Sequence, residues 1–157
     1  MSDVKGILPN SKILVGVYLE KKFDIQTEQI VVIAGPCHAE EIAKNRLSFL
    51  TLGCSDLDIA LSLKSLMSNS YLNISVSKDV TGIEIAAVIK NIYAMIIGAG
   101  QSLNSSSSLF QKSINEMKYL TKYFKGKEAT TLGLAGVGDL YVSAAGGRNS
   151  KMGSYLG

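Results

Sequence analysis

The sequence predicts an α/β unit followed by an all-α region, and three observations predict it. Apolar β-branched runs alternate with helical periods as far as Asp79. Beyond Asp79 the period is helical only. With 46% hydrophobic and 18% charged residues over a length of 157, the chain has the composition of a packed domain, which excludes disorder as a description of the whole. The boundary falls near residues 79–82 and divides 1–80 from 81–157.

Residues 11–23 (SKILVGVYLEKKF) read as a helix with Ser11 as its cap. Residues 29–34 (QIVVIA) form a continuous apolar run, the mark of a strand covered on both faces. Gly35-Pro36 breaks that run, and residues 37–44 restart as a helix with acids in its first turns. Residues 48–52 are a second strand, Asp56 caps a helix reaching Leu66, and 72–77 (LNISVS) are a third strand. Two helices follow, over 80–99 and 106–124, and the serine run Ser105 to Ser108 reads as the loop and cap between them.

Sixteen Lys+Arg against thirteen Asp+Glu leave a net charge of +3, too weak a balance for nucleic acid but suited to a small anionic substrate. Cys37 and Cys54 have no CxxC spacing and make neither a disulfide framework nor a zinc site; no metal is expected. The opening residues are polar and lack the apolar core of a secretory leader. Residues 83–100 contain Glu84, Lys90 and Asn91, and their uninterrupted apolar part, 92–100, is shorter than the roughly 20 residues a bilayer demands. A chain without a membrane span is the expectation.

The helix over 80–99 is apolar nearly all round, so it is expected to be buried. Ile85, Val88, Ile89, Ile92 and Ile96 make a large aliphatic face; Ile83, Ala86, Ala87, Ala94, Ile97 and Gly98 make a face of mostly small residues, with Lys90 in its middle. Small residues allow close approach by another chain or a ligand. A lysine among them loses hydration, its pKa falls, and it can exchange protons near neutral pH. The helix alone also allows a lysine that carries its ammonium out to the surface.

Downstream, Asp139 closes the glycine-dense run Gly133 to Gly138, where an acid flanked by apolar residues can hold a basic partner. Gly146-Gly147-Arg148-Asn149 offers a planar guanidinium and an amide to an anion, and reads equally as a solvated loop. Neither Gly98-Ala99-Gly100 nor Gly136-Val137-Gly138 completes a G-x-G-x-x-G fingerprint, and no P-loop occurs.

In order along the chain, Val4-Lys5-Gly6-Ile7, the segment from Ile33 through Gly35-Pro36 to Ala43, the helix from Gly82 through Lys90-Asn91 to Ile92, the run Gly133 to Leu140, and Gly147-Arg148-Asn149 resemble NAD(P)-dependent glycerol-3-phosphate dehydrogenases. The resemblance implies the C-terminal part of a Rossmann-type nucleotide-binding domain joined to the first helices of a helical substrate domain. It implies hydride exchange between NAD or NADP and a small phosphorylated substrate, dihydroxyacetone phosphate or glycerol 3-phosphate. By that likeness Lys90 is the general acid/base, Lys5 a second positive group, and Asp139 the partner that orients the lysine. Asn91 and Ser143 complete the polar contacts, while Arg148 and Asn149 hold the phosphate, with Arg148 also near the cofactor. A cytoplasmic homodimer is implied as well.

Three features stand apart from the family pattern. The first βαβ unit with its pyrophosphate-binding loop precedes the point where this chain begins, and family members continue beyond the Arg-Asn pair. This motivates the alternative of a non-catalytic fragment that binds a phosphorylated ligand or a partner subunit. The family's glycine-aspartate-asparagine stretch is replaced at 102–108 by SLNSSSS, so altered geometry near the substrate is expected. His38, the sole histidine, is read as a turn or helix N-terminal residue.

Overall fold

A computed structural model describes residues 1–157. The first half holds α1 (Val15–Phe23), a 3-10 turn (Thr27–Gln29), β1 (Val32–Ala34), α2 (Ala39–Ala43), β2 (Ser48–Gly53), α3 (Leu57–Met67) and β3 (Leu72–Ser77). The second half is helical: α4 (Val80–Gly98), α5 (Leu103–Tyr123), α6 (Glu128–Leu132), a π-helical turn (Leu134–Gly138), α7 (Asp139–Ala144) and α8 (Arg148–Ser154).

The three strands form one sheet in the order β1-β2-β3. β2 and β3 run parallel from Ser48↔Leu72 to Gly53↔Ser77, as a βαβ crossover through α3 requires. β1 pairs antiparallel with β2, Val32 opposite Gly53. Its other edge is closed by the N-terminal segment: Ser2 donates to the Val31 carbonyl at 2.8 Å and accepts from Ile33 N–H at 2.9 Å. The expected strand over 29–34 is therefore shorter at its start, because Thr27–Gln29 close a 3-10 turn instead.

α1 also starts later than its pattern suggested. Ser11 lies outside the helix and Leu14 occupies the cap position, since Leu14 is held in a bridge to Ile7. The serine run is not a loop. Ser102 caps α5, accepting from Ser105 N–H at 3.2 Å, while Ser105 Oγ accepts from Ser102 N–H at 3.0 Å; Ser105 to Ser108 then lie within the helix. This is a capping box built with serine at both positions.

α4 is the centre of the molecule. By length and composition alone it could cross a membrane, yet it packs against β1, α5, α6, α7 and α8. Ile83 and Ala87, from its small-residue face, meet Val32 and Ala34 of β1 and Ala135 of the π turn. Ile85, Ile89, Tyr93 and Ile97 pack with Met117 of α5 and Leu140 of α7. Each such aliphatic side chain contributes about 1.5–3 kcal/mol when fully buried. The expected burial all round stops short: Ile92 and Ile96 are 55% and 38% exposed. α8 is seated on the C-terminal half of α4 through two glycines. A Cβ on Gly98 would run into the Ser150 backbone, and one on Gly153 into the Met95 carbonyl.

Candidate functional site

A cleft of about 1050 Å³ opens between the N-terminal segment, the start of α2, the middle of α4 and the start of α8. Three local features shape it. Gly35 has φ +139, a backbone region that side chains rarely enter, and a Cβ there would lie 2.7 Å from the Phe49 carbonyl; this turns Pro36 and Cys37 off the strand end towards the cleft. The π turn swings the chain so that Asp139 becomes the first residue of α7, facing α4. Ser143 lies one turn further along the same face.

At the floor of the cleft Lys90 Nζ donates to Asp139 Oδ1 at 2.5 Å and to Ser143 Oγ at 2.9 Å. Lys5 Nζ donates to the other carboxylate oxygen at 2.8 Å. One buried acid thus carries two ammonium groups, drawn from positions 134 and 49 residues away in the chain. The Lys90 and Asp139 side chains are 6% and 5% exposed, that of Lys5 30%. Burial pushes the Lys90 pKa below its ordinary value; Asp139 opposes that shift and Lys5 adds to it. Of the two readings open for Lys90, the surface-seeking one is excluded: its nitrogen is buried and paired.

Asn91, Arg148 and Asn149 line the same cleft without bonding to the cluster. Arg148 is exposed and begins α8, so its guanidinium stands on the wall, free to meet an anion. The structure therefore brings all seven residues singled out in the sequence to one place. The serines at 102–108 do not line the cleft. His38 holds the N-cap position of α2 as expected, but it also faces the cleft, with Asp3, Cys37, Glu40 and Lys151. Sequence reasoning missed these. Only the i, i+3 spacing of Arg148 and Lys151 signalled that Lys151 shares the Arg148 side. Burial raises the Cys37 thiol's pKa, against a hydrogen bond with Ser48 that lowers it.

Residues 1–60 match the family described as NAD-dependent glycerol-3-phosphate dehydrogenase N-terminus, and residues 79–157 the one described as its C-terminus. The chain belongs to the NAD-dependent glycerol-3-phosphate dehydrogenase family. Among curated members of this family, a glycerol-3-phosphate dehydrogenase [NAD(P)+] of Ligilactobacillus salivarius is 37% identical over 136 residues, covering 83% of this chain and 40% of the relative. That of Lactobacillus johnsonii is 32% identical, covering 100% of this chain and 49% of the relative. The chain thus spans under half the length of these dehydrogenases. A glycerol-3-phosphate dehydrogenase structure from Coxiella burnetii superposes with a TM-score of 0.90 at 26% identity, covering 98% of this chain and 48% of that one. The enzyme from Saccharomyces cerevisiae gives 0.84 at 28% identity, covering 99% and 48%. The fold is therefore that of the family, a Rossmann-type part followed by helices.

Proposed function

We propose that the chain serves reversible hydride transfer between NAD(P)H and dihydroxyacetone phosphate, giving glycerol 3-phosphate, with Lys90 as general acid/base at the C2 oxygen. The observation that carries this reading is the buried Lys90–Asp139 pair at the floor of a cleft walled by Arg148 and Asn149. When hydride leaves C2 of the alcohol, its hydroxyl must lose a proton; in the other direction the carbonyl oxygen gains one. Burial moves the Lys90 amine towards neutral pH, where it can both take and return that proton. Asp139 and Ser143 fix two of the directions in which Nζ points, which aims the remainder into the cleft.

Lys5, held on the same carboxylate, places a second positive charge beside the reacting oxygen. Arg148 and Asn149 bind the phosphate, with Asn91 as a further polar contact. Phosphate binding is remote from C2, and its energy positions the reacting carbon. NAD or NADP, when bound, supplies and accepts the hydride. Among these residues the cations of the cleft, Arg148 first, suit its phosphate-bearing part. We place the border between the nucleotide-binding and substrate-binding parts at residues 79–82, and carry a cytoplasmic homodimer from the resemblance alone.

The reading is tested by calorimetric titration with glycerol 3-phosphate. Arg148→Ala is expected to weaken binding about 10- to 100-fold, the loss of one or two charged hydrogen bonds. An unchanged affinity removes Arg148 from the phosphate site.

A further inference from the structure

Asp79 ends the third strand's turn and caps α4, and both of its carboxylate oxygens are committed. Oδ1 accepts from Gly82 N–H at 3.0 Å. Oδ2 accepts from Lys127 N–H at 2.8 Å and from the Thr130 hydroxyl at 2.5 Å. The residue is 8% exposed and has no basic side chain within ion-pair distance. The first bond fixes the beginning of α4; the other two fix the beginning of α6.

Those two elements lead to the two halves of the ion pair. α4 is one rigid helix carrying Lys90 about three turns, roughly 16 Å, beyond Asp79. α6 passes through Gly133 and the π turn into α7, whose first residue is Asp139. Thr131 of α6 is also tied across to Thr121 of α5 at 2.9 Å, and Glu128 at the start of α6 pairs with Lys118 and Lys122 of α5 at 3.4 Å on partly exposed side chains. Among these side-chain ties only Asp79 links α6 to the start of α4.

We infer that Asp79 is a positioning residue for the proton-handling pair: a single carboxylate ties together the segments that carry Lys90 and Asp139, and so sets the distance between them. The inference rests on the reading of that pair as the centre of the site. It also predicts a division. Arg148 stands on α8, which is tied to the end of α7 by the Ser150 hydroxyl on the Ala144 carbonyl at 2.7 Å but is seated through Gly98 and Gly153 on the far end of α4, so its position depends on Asp79 less than that of Asp139 does.

The test uses the 157-residue chain. Lys90 protonation is followed by pulse acylation from about pH 6 to pH 11, with mass spectrometry of the peptide that carries it. The Arg148 side is followed by calorimetric titration with inorganic phosphate. In Asp79→Asn one acceptor becomes a donor facing Gly82 N–H or the Lys127–Thr130 pair. The Lys90 midpoint is expected to fall by about half a pH unit or more, because Asp139 withdraws while α4 stays buried. Phosphate affinity is expected to stay within about two-fold, a change worth less than ~0.5 kcal/mol. Thr130→Val removes one hydroxyl bond at the same volume and is expected to give a smaller fall in the same direction, which also covers the case of Asp79→Asn failing to fold. A midpoint that is unchanged or rises in the folded variants overturns the inference. So does an equal loss of phosphate affinity, which marks general loosening. Lack of NAD(P)H-linked turnover in a family-length protein carrying this chain would strike the proposed reaction and leave the Lys90 midpoint, and this inference, standing.

Discussion

Replacing Asp139 with asparagine removes one charge from a cluster in which two ammonium groups share it. Lys90 Nζ and Asp139 Oδ1 lie 2.5 Å apart, and the two side chains are 6% and 5% exposed. The variant keeps the shape and leaves a buried cation without its counter-charge. Breaking a pair of this kind costs about 3–5 kcal/mol. A ceiling comes from the lysine's ability to shed its proton instead: moving a group from a free pKa of about 10.4 to neutrality at pH 7 costs about 3.4 × 1.36, or about 4.6 kcal/mol. The two routes agree, so the loss at pH 7 is about 3–4.6 kcal/mol, which lowers Tm by about 6–18 °C in a domain of this size. The sign with pH follows from Lys90, whose folded pKa lies below its unfolded value and falls further when Asp139 no longer opposes burial. The charge penalty is therefore full below the folded pKa and is relieved as pH rises to the unfolded value, where the amine is neutral in both states. Urea unfolding followed by circular dichroism at pH 7 and at about pH 9.5 should show the gap between parent and variant narrowing. A loss below about 1 kcal/mol at pH 7, or a gap that widens with pH, refutes the reasoning.

Two further substitutions probe the frame around the site. Gly153→Ala pushes a methyl group against the Met95 carbonyl, so α8 must lift from α4. This is expected to cost about 1–3 kcal/mol in a denaturant melt and to weaken phosphate binding, with the Lys90 titration unmoved. Full phosphate affinity in this variant contradicts the seating of Arg148 described above. Glu84 is buried, accepts from Gly16 N–H at 2.8 Å, and has its pKa raised by burial, with that hydrogen bond opposing. A raised folded pKa means the protonated form contributes stability below the unfolded value of 4.5, and that contribution is lost as pH rises through the folded value. Glu84→Gln keeps an acceptor for Gly16 and carries no charge, so its Tm should exceed the parent's at pH 7 and converge with it on acidification. A parent with the higher Tm at neutral pH rules out this account of Glu84.

Much of the fold was legible because it is local. The alternation of Leu72–Ser77 fixes β3 to the residue, and the Asp56 cap and the apolar run of Val80–Gly98 mark α3 and α4. Legibility failed where distant residues decide. The antiparallel pairing of β1 and its early 3-10 turn depend on β2 and on the N-terminal segment, neither of which is written in 29–34. The exposure of Ile92 and Ile96 depends on which faces α5, α7 and α8 cover. At the site, Lys90 among alanines is a visible sequence signal, whereas Lys5, which shares Asp139 with it, is brought 134 residues across the chain to that acid by tertiary packing alone. The anchoring of α6 by Asp79 was equally invisible, since the sequence marks Asp79 only as the point where the period turns helical.

The central claim is that the Lys90 amine moves the proton that accompanies hydride transfer. Following nicotinamide absorbance with dihydroxyacetone phosphate as substrate, in an active family-length protein carrying this chain and in its Lys90→Met variant, measures it directly. The account predicts a kcat about 10²-fold or more lower in the variant, with KM changed far less. Equal turnover in the two proteins contradicts it.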